Sequence, residues 1–247
     1  MEKIKTNSYF VTICKSKNKT FIQRRKRKGL HAYPRTLTLK EINNCLKNSG
    51  IRYPKLLWNG FKLVYEEYIE STQEIKTLSN IEIIDNVINI ISNLNKIYVD
   101  NKKIIWKNNS DFFKFSIQNL KEVLIHKNPI KLNEYLLELD NMYKELDDER
   151  KLCFIHGDIH TKNMIISKDD FYLIDWELAT YGDLAYELAM HFILMEYTGQ
   201  EKDIFFSKLV KNIDLDVKKL MNDVEIFIFQ LYYAIRKADY FILLVKL

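Results

Sequence analysis

The segment from residue 156 to residue 175 constrains this chain more than any other, because it spaces two carboxylates around a carboxamide. Asp158 follows a histidine and a glycine, Asn163 comes five residues later, and Asp175 closes the segment. Phosphoryl transfer from a nucleotide uses such a set, since one carboxylate can accept a hydroxyl proton and the other groups can hold Mg²⁺ against the phosphates. We therefore expect Asp158 to be the catalytic base, and Asn163 and Asp175 to be the metal ligands.

The residues around these polar groups predict how the chain brings them together. Residues 152–155 form a short apolar run that predicts a buried strand leading into the loop that follows. Two more strands are predicted at 164–166 and 171–174, and the residues between them are polar, which is typical of a tight turn. Such a hairpin brings the residues that flank it, Asn163 and Asp175, to one end.

Three motifs in this region resemble those of the aminoglycoside phosphotransferase and choline kinase family, whose fold is similar to that of protein kinases. The chain carries His-Gly-Asp with an Asn five residues later at 156–163, Ile-Asp-Trp-Glu at 174–177, and Gly-Asp followed by Glu-Leu-Ala at 182–189. The resemblance implies an α+β, protein-kinase-like two-lobe fold, with a small antiparallel-sheet N-lobe and a mainly helical C-lobe. It also implies a Mg²⁺-dependent phosphotransferase that takes ATP or GTP as donor and the hydroxyl of a small molecule as acceptor.

The order of the predicted elements agrees with two lobes. A strand hairpin is predicted around a polar turn at 15–19, a helix at 39–48, and a second hairpin at the Asn-Gly turn 59–60. We expect residues 1–68 to form the nucleotide-binding lobe and to end in the hinge. Residues 69–247 are then expected to form the helical lobe, with the catalytic loop and the acceptor site.

Two apolar stretches are expected in the core of the helical lobe. The first recurs at steps of three and four residues, which is the period of one helix face. Its members are Ile81, Ile84, Val87, Ile88, Ile91, Leu94 and Ile97. The second stretch, residues 224–247, is interrupted by charged residues, so it predicts a largely buried helix and not a membrane span.

In the small lobe, the resemblance points to Arg24. The family usually carries a strand that ends in Lys or Arg, and the stretch Phe-Ile-Gln-Arg occupies the corresponding place here. We expect Arg24 to hold the α/β phosphates, with Arg25 as the runner-up, and Glu41 on the following helix to be its partner. Glu67 and Tyr68 stand where a kinase-like hinge would contact the nucleotide.

Two histidines and one missing motif complete the expected nucleotide site. His156 is expected to be a structural hydrogen-bonding residue. His160 stands where family members often carry a histidine, and it could either touch the γ-phosphate or pack within the loop. No glycine-rich phosphate loop is visible, which leaves open a non-enzymatic alternative, a kinase-like binding protein or a spore-coat-type relative.

Charge is divided unevenly along the chain, and the division bears on the acceptor. Residues 1–60 hold 15 Lys/Arg and 2 Asp/Glu, a balance of +13. The totals of 38 and 33 leave 23 and 31 for residues 61–247, a balance of −8. Because an acidic lobe attracts cations, we expect a cationic acceptor, with an aminoglycoside-like molecule first and choline or ethanolamine as the rival.

Two sets of residues are candidates for binding such a cation. The acids that follow the catalytic motifs are Glu177, Glu187, Glu196, Asp214, Asp216, Asp223 and Glu225. The aromatic residues that could form a cation-binding box are Trp106, Tyr232 and Tyr233.

Composition sets the remaining limits. Apolar residues make up 47% of the 247 residues and charged residues 29%, which is typical of a globular and not a disordered chain. The three cysteines are widely spaced and fit neither a disulfide framework nor a zinc motif, and no apolar run follows the first lysines as in a signal peptide. We expect a cytoplasmic protein, a monomer or weak dimer, that binds neither nucleic acid nor membrane.

Overall fold

The computed structural model describes residues 2–5, 9–17, 19–26, 37–60, 63–100, 108–114, 129–168 and 170–237. Their elements run from an antiparallel sheet to a mainly helical part that contains two further strand pairs, which confirms the expected α+β class. Trp106 and the side chains of Tyr232 and Tyr233 lie outside the described part, and so does the aromatic box expected of them.

The first layer is a five-stranded antiparallel sheet. Its strands are β1 (Glu2–Lys5), β2 (Tyr9–Lys15), β3 (Thr20–Lys26), β4 (Leu56–Asn59) and β5 (Leu63–Glu67). The order in space is β1-β2-β3-β5-β4, which puts β3 in the middle. The β3–β5 register sets Ile22 opposite Glu66 and Arg24 opposite Val64. Because alternate residues of a strand share a face, these four side chains lie on one face of the sheet.

Helix α1 (Leu39–Leu46) connects β3 to β4 and begins with a capping box. The Thr38 hydroxyl accepts the N–H of Glu41, and the Glu41 carboxylate accepts the N–H of Thr38 at 2.8 Å. Ile42 and Leu46 are buried and attach the helix to the core. The helix ends two residues before the predicted bound, and Gly50, with φ of 79°, lies in the turn that follows it.

Two strand pairs stand within the helical part. They are β6 (Cys153–Ile155) with β9 (Thr180–Gly182), and β7 (Met164–Ser167) with β8 (Asp170–Leu173). The β7–β8 hairpin was predicted, whereas β9 is too short to show a strand period in the sequence. The hairpin is held from both sides, since Leu173 donates its N–H to Arg52 at 3.0 Å and Ile166 accepts that of Thr72 at 2.9 Å.

The longer helices that follow α1 make up most of the helical part. They are α2 (Asn80–Leu94), α3 (Pro129–Met142), α4 (Leu184–Met195), α5 (Gly199–Leu209) and α6 (Val217–Lys237). Val224, Phe227 and Leu231 of α6 are buried, as expected of the described part of that stretch. Within the residues that the structure describes, no helix combines the length and the apolar character needed to cross a bilayer.

The predicted apolar stripe of α2 is buried over most of its length. Within α2, the set of buried apolar residues differs from the prediction at three positions. Buried as expected are Ile84, Val87, Ile88, Ile91 and Leu94. Ile81 is 39% exposed, because it lies in the first turn beside solvent. Ile83 and Ile90 are also buried, since α2 packs against both β6 and α5 and so needs a wider apolar face than the stripe provides.

Candidate active site

The loop after β6 turns at Gly157 and leaves one carboxylate accessible. Gly157 has φ of 82°, a left-handed conformation that glycine adopts without steric cost. A Cβ at this position would lie 3.1 Å from the carbonyl oxygen of Leu178. Asp158 then keeps 29% of its side chain exposed, while His156 and Ile159 on either side are buried.

His156 ties this loop to the strand end that carries Asp175. Its Nδ1 accepts the N–H of Asp158 at 3.2 Å, and its Nε2 lies 3.0 Å from the carbonyl oxygen of Ile174. A ring whose Nδ1 accepts carries its proton on Nε2, which therefore donates to Ile174. Burial lowers the pKa of His156, so the ring is neutral at neutral pH. These contacts confirm the structural hydrogen-bonding role expected of it.

Asn163 closes the loop onto Asp158. Its Nδ2 donates to the carbonyl oxygen of Asp158 at 2.9 Å and to the carboxylate Oδ2 at 2.8 Å. The backbone carbonyl oxygen of Asn163 accepts the N–H of Ile174 at 2.9 Å, across the open end of the β7–β8 hairpin. The segments that carry Asp158, Asn163 and Asp175 therefore meet at one end of the hairpin, as the strand pattern predicted.

Asp175 faces the five-stranded sheet through Arg24. The Nη1 of Arg24 lies 2.6 Å from Oδ1 of Asp175, and its Nε lies 2.8 Å from Oε2 of Glu66 on β5. Burial by itself would lower the pKa of Arg24, but Asp175, Glu66 and, more weakly, Glu177 raise it above its ordinary value. The guanidinium is thus a permanent cation held between the sheet and the hairpin.

The acid beside Arg24 differs from the one that the sequence suggested. Glu41 forms the capping box of α1, and the acids whose ion pairs with Arg24 the structure shows are Glu66 and Asp175. The physical reason is the sheet register: Glu66 lies diagonally across from Arg24 on the neighbouring strand, within the reach of a long side chain. The expected pairing of Arg24 with Glu41 is therefore corrected to Glu66.

Asn163 and Asp175 offer the donor chemistry that Mg²⁺ prefers. Asp175 presents a carboxylate with 30% of its side chain exposed. Asn163 commits its amide nitrogen to Asp158, which leaves its amide oxygen, and no donor in the described residues binds that oxygen. A carboxylate and an amide oxygen are ligands of a hard cation, so the two residues fit this ion.

Helix α4 supports the loop from below with two polar side chains one turn apart. Glu187 accepts the backbone N–H of His156 and, at 2.9 Å, that of Gly157. His191 lies with its Nδ1 2.8 Å from the carbonyl oxygen of Ile159, to which it must donate. Both side chains are fully buried, and burial raises the pKa of Glu187 to about 7 and lowers that of His191 to about 4.

The remaining site candidates lie near the loop and at the end of β5. His160 places Nε2 3.4 Å from Oδ2 of Asp158, and its Nδ1 accepts the N–H of Lys162 at 3.3 Å. Glu67 donates its N–H to the carbonyl oxygen of Lys55 at 2.9 Å at the end of β5. Tyr68, directly after it, is half-buried in the segment where the hinge is expected.

Two of the seven acids expected to attract a cation are used inside the protein, so that expectation is wrong for them. Glu187 binds the backbone of the loop, as described above. Asp223 lies 2.6 Å from Nη1 of Arg150, whose other edge binds both carboxylate oxygens of Asp183 at 2.9 Å. Glu225 is exposed and lies 3.5 Å from Lys202.

Sequence reasoning missed Glu66 and His191 of this neighbourhood, and it assigned Glu187 to the acceptor and not to the loop. Strand alternation and a diagonal pair rule could have proposed Glu66 once the β3–β5 register was known. Glu187 and His191 stand four residues apart, which is the spacing of one helix face. That face could have been assigned to the loop only after the position of α4 was known.

One protein-family model matches a stretch of the chain that includes all the residues of the candidate site. The family model described as "Phosphotransferase enzyme family" matches residues 5–208 of this chain. A Protein LicA homolog of Mycoplasma capricolum is 30% identical over 173 residues, which are 69% of this chain and 66% of the relative. A Protein LicA homolog of Metamycoplasma hominis is 28% identical over 155 residues, 62% of this chain and 58% of the relative. Each match spans less than two thirds of the relative's length.

Solved structures of small-molecule kinases share the fold. The choline kinase LicA from Streptococcus pneumoniae superposes with a TM-score of 0.69 and 21% identity, over 95% of this chain and 83% of that chain. A Plasmodium vivax ethanolamine kinase gives 0.68 and 16%, over 95% and 76%. The streptomycin–ATP–APH(2")-IIa ternary complex gives 0.64 and 14%, over 98% and 90%. At these identities the likeness concerns the fold, and it confirms the expected kinase-like architecture.

Proposed function

This chain belongs to the phosphotransferase enzyme family, and from that premise we propose that it transfers the γ-phosphoryl group of a nucleoside triphosphate to the hydroxyl of a small amino alcohol. One observation carries the proposal: Asp158 is partly exposed and hydrogen-bonded to Asn163. His156 connects the same loop to the strand end at Asp175, which in turn faces Arg24. These contacts support the assignment of a base, two metal ligands and a phosphate-binding cation to one site.

Asp158 receives the proton of the acceptor hydroxyl in this mechanism. The Asn163 amide donates to its Oδ2 and so holds the carboxylate in one orientation. His160 lies 3.4 Å from the same oxygen and adds a second polar neighbour. Because the transition state of phosphoryl transfer is loose, Asp158 acts chiefly by orienting the hydroxyl.

The nucleotide is bound by residues of both parts of the chain. Arg24 binds the phosphates, for which the planar guanidinium offers two parallel donors. Asn163 and Asp175 would hold Mg²⁺, which when bound neutralises the charge of the phosphate oxygens. Glu67, at the end of β5, and Tyr68, directly after it, contact the rest of the nucleotide, which is ATP or GTP.

An amino alcohol such as choline or ethanolamine is the preferred acceptor. The names of relatives support this choice, since a choline kinase and an ethanolamine kinase share the fold and two relatives are each named Protein LicA homolog. The acids support it as well, because Glu187 and Asp223 are committed inside the protein. A molecule with one ammonium group needs fewer free carboxylates than a polyamine does.

An aminoglycoside-like acceptor is the second candidate. The overall fold is also shared with APH(2")-IIa in a complex with streptomycin. Asp214 and Asp216 are exposed on the loop before α6, and the part of the chain after residue 60 is acidic overall. Exposed carboxylates of this kind could attract the several ammonium groups of a polycationic acceptor.

The test is a panel of acceptors with ATP and GTP, in which nucleotide consumption and phosphorylated product are both measured. Asp158→Asn should lower kcat by roughly 100-fold or more, because it removes the group that receives the proton. Its nucleotide affinity should change little. Asp203→Asn, at an exposed position of α5, is the matched control and should keep wild-type kcat.

The outcomes separate the candidates. Turnover with choline or ethanolamine supports the preferred acceptor, and turnover with aminoglycosides alone supports the second. A neutral sugar that outcompetes every amine would overturn the cationic acceptor. A wild-type protein that binds nucleotide but phosphorylates nothing in the panel would favour the non-enzymatic alternative.

A further inference from the structure

Arg24 is held by two acids that belong to different elements. Its Nε edge faces Glu66 on β5 at 2.8 Å, and its Nη1 faces Asp175 after β8 at 2.6 Å. The side chains of Arg24 and Glu66 are only 13% and 15% exposed, so the pair is largely removed from water. Charges in such surroundings interact more strongly than charges on the surface.

The two acids are not equivalent once a nucleotide binds. Under the proposed function, Asp175 becomes a ligand of Mg²⁺ and Arg24 turns one edge to the phosphates. Glu66 has no such second task. Its backbone is joined to that of β3 by the antiparallel ladder, which sets Arg24 opposite Val64 and Glu66 two residues further along. The distance between Arg24 and Glu66 is therefore maintained by the sheet itself.

We propose that Glu66 is the positioning residue of the nucleotide site, which keeps the Nε edge of Arg24 in place while the other edge changes its partner from Asp175 to phosphate. This inference rests on the proposed function. Without the Glu66 carboxylate, the Nε edge of Arg24 would lose its contact with β5 and could turn toward Asp175. The cation would then be drawn away from the phosphates, and the carboxylate away from the metal.

Glu41 is the rival for this role. The sequence pointed to it because it is the acid of the helix that follows β3. In the structure its carboxylate accepts both the N–H and the hydroxyl of Thr38 at 2.8 Å, and so stabilises the start of α1. Exchanging Glu41 should therefore lower the stability of α1 more than the affinity for nucleotide.

The experiment measures nucleotide binding directly, by calorimetric titration with and without Mg²⁺ and in the absence of any acceptor. The variants are Glu66→Gln, Glu66→Asp, Glu41→Gln, Arg24→Gln and the double variant Arg24→Gln with Glu66→Gln. Glu70→Gln is the matched control, since Glu70 is exposed in the segment after β5. Thermal unfolding of each variant shows whether it is folded.

We expect Glu66→Gln to weaken nucleotide binding roughly ten-fold, the size of one lost charge-assisted contact, and Glu70→Gln to change it less than about two-fold. In the Arg24→Gln background, the Glu66 exchange should have almost no further effect. Glu66→Asp should retain part of the affinity, and it replaces Glu66→Gln if that variant does not fold. A structural role alone would move the unfolding temperature without this coupling.

Three results would overturn the inference. They are an equal loss from Glu66→Gln with and without Arg24, a larger loss of affinity from Glu41→Gln, and unchanged affinity in both Glu66 variants. Failure of the proposed function is distinguishable, because a protein that phosphorylates no acceptor still binds nucleotide in this assay. A wild-type protein that binds no nucleotide would overturn both.

Discussion

At the scale of single residues, the accessible position of Asp158 depends on the glycine before it. Gly157 adopts φ of 82°, and its α-hydrogen faces the backbone of Leu178 where any side chain would meet a carbonyl oxygen at 3.1 Å. The N–H of Gly157 is also bound by Glu187 at 2.9 Å. Backbone conformation and close approach therefore require a glycine at the same place.

Exchanging this residue should strain the loop and misplace the base. Gly157→Ala is expected to lower the free energy of unfolding by roughly 1–3 kcal/mol, because it combines a left-handed backbone with a tight contact. The activity should fall with it. Gly199→Ala is the matched control, since nothing lies within 4 Å of a Cβ there and the residue begins α5. Chemical denaturation measures the free energy of unfolding of the two variants, and equal values would contradict the prediction.

At the scale of elements, α4 acts as the support of the catalytic loop. Its N-terminus is capped by Asp183, whose Oδ1 accepts the N–H of Ala185 at 2.8 Å. Further along, Glu187 binds N–H groups of the loop and His191 donates to its carbonyl oxygen at Ile159. A single helix face thus holds the backbone on both sides of Asp158.

The burial of Glu187 predicts a pH-dependent stability. Its pKa in the folded protein is about 7, above the ordinary value of 4.5. Between these pH values the folded state binds more protons at Glu187 than the unfolded state, so stability falls as pH rises from 4.5 to 7.

Comparison with a variant that cannot titrate isolates this contribution. The stability of the wild type relative to Glu187→Gln should decrease by about 3 kcal/mol over that range, since each pKa unit corresponds to about 1.4 kcal/mol. Urea denaturation at a series of pH values measures it, with the exposed Glu138→Gln as the control for the change in charge. If the free energy of unfolding of the wild type rose with pH relative to that of Glu187→Gln, the predicted direction of the effect would be wrong.

At the scale of the whole molecule, one buried arginine connects elements far apart in the chain. Arg150, before β6, binds both oxygens of Asp183 at the start of α4 and lies 2.6 Å from Asp223 in α6. The three side chains are at most 4% exposed. A cation between two buried acids joins the two helices to the strand that leads into the catalytic loop.

Removing this cation would leave the buried carboxylates of Asp183 and Asp223 without their positive partner. Arg150→Met should therefore lower the free energy of unfolding by about 3–5 kcal/mol. Arg52→Met is the control, because Arg52 is 61% exposed and lies 3.4 Å from Asp170, and a surface pair of this kind contributes less than about 1 kcal/mol. Equilibrium denaturation compares the two. A loss in Arg150→Met no larger than in the control would show that the buried cluster is not stabilising.

The sequence by itself determined the features that depend on neighbours along the chain. Sequence patterns predicted the β7–β8 hairpin, helix α1 and the site residues Asp158 and Asn163. Turn residues, strand period and loop spacing act over a few positions, so they can be recognised without the fold. Asp158, Asn163 and Asp175 are brought to one end of a hairpin for the same reason. The kinase-like fold followed from these motifs through a resemblance.

Only the tertiary structure decided contacts between residues that are distant in sequence. Arg24 reaches Glu66 across 42 positions and Asp175 across 151, and no local pattern selects these partners over Glu41. The roles of Glu187 and Asp223 also depend on which groups α4 and α6 meet. A charge in a sequence attracts any opposite charge, whereas the register of a sheet and the packing of helices determine which one it reaches.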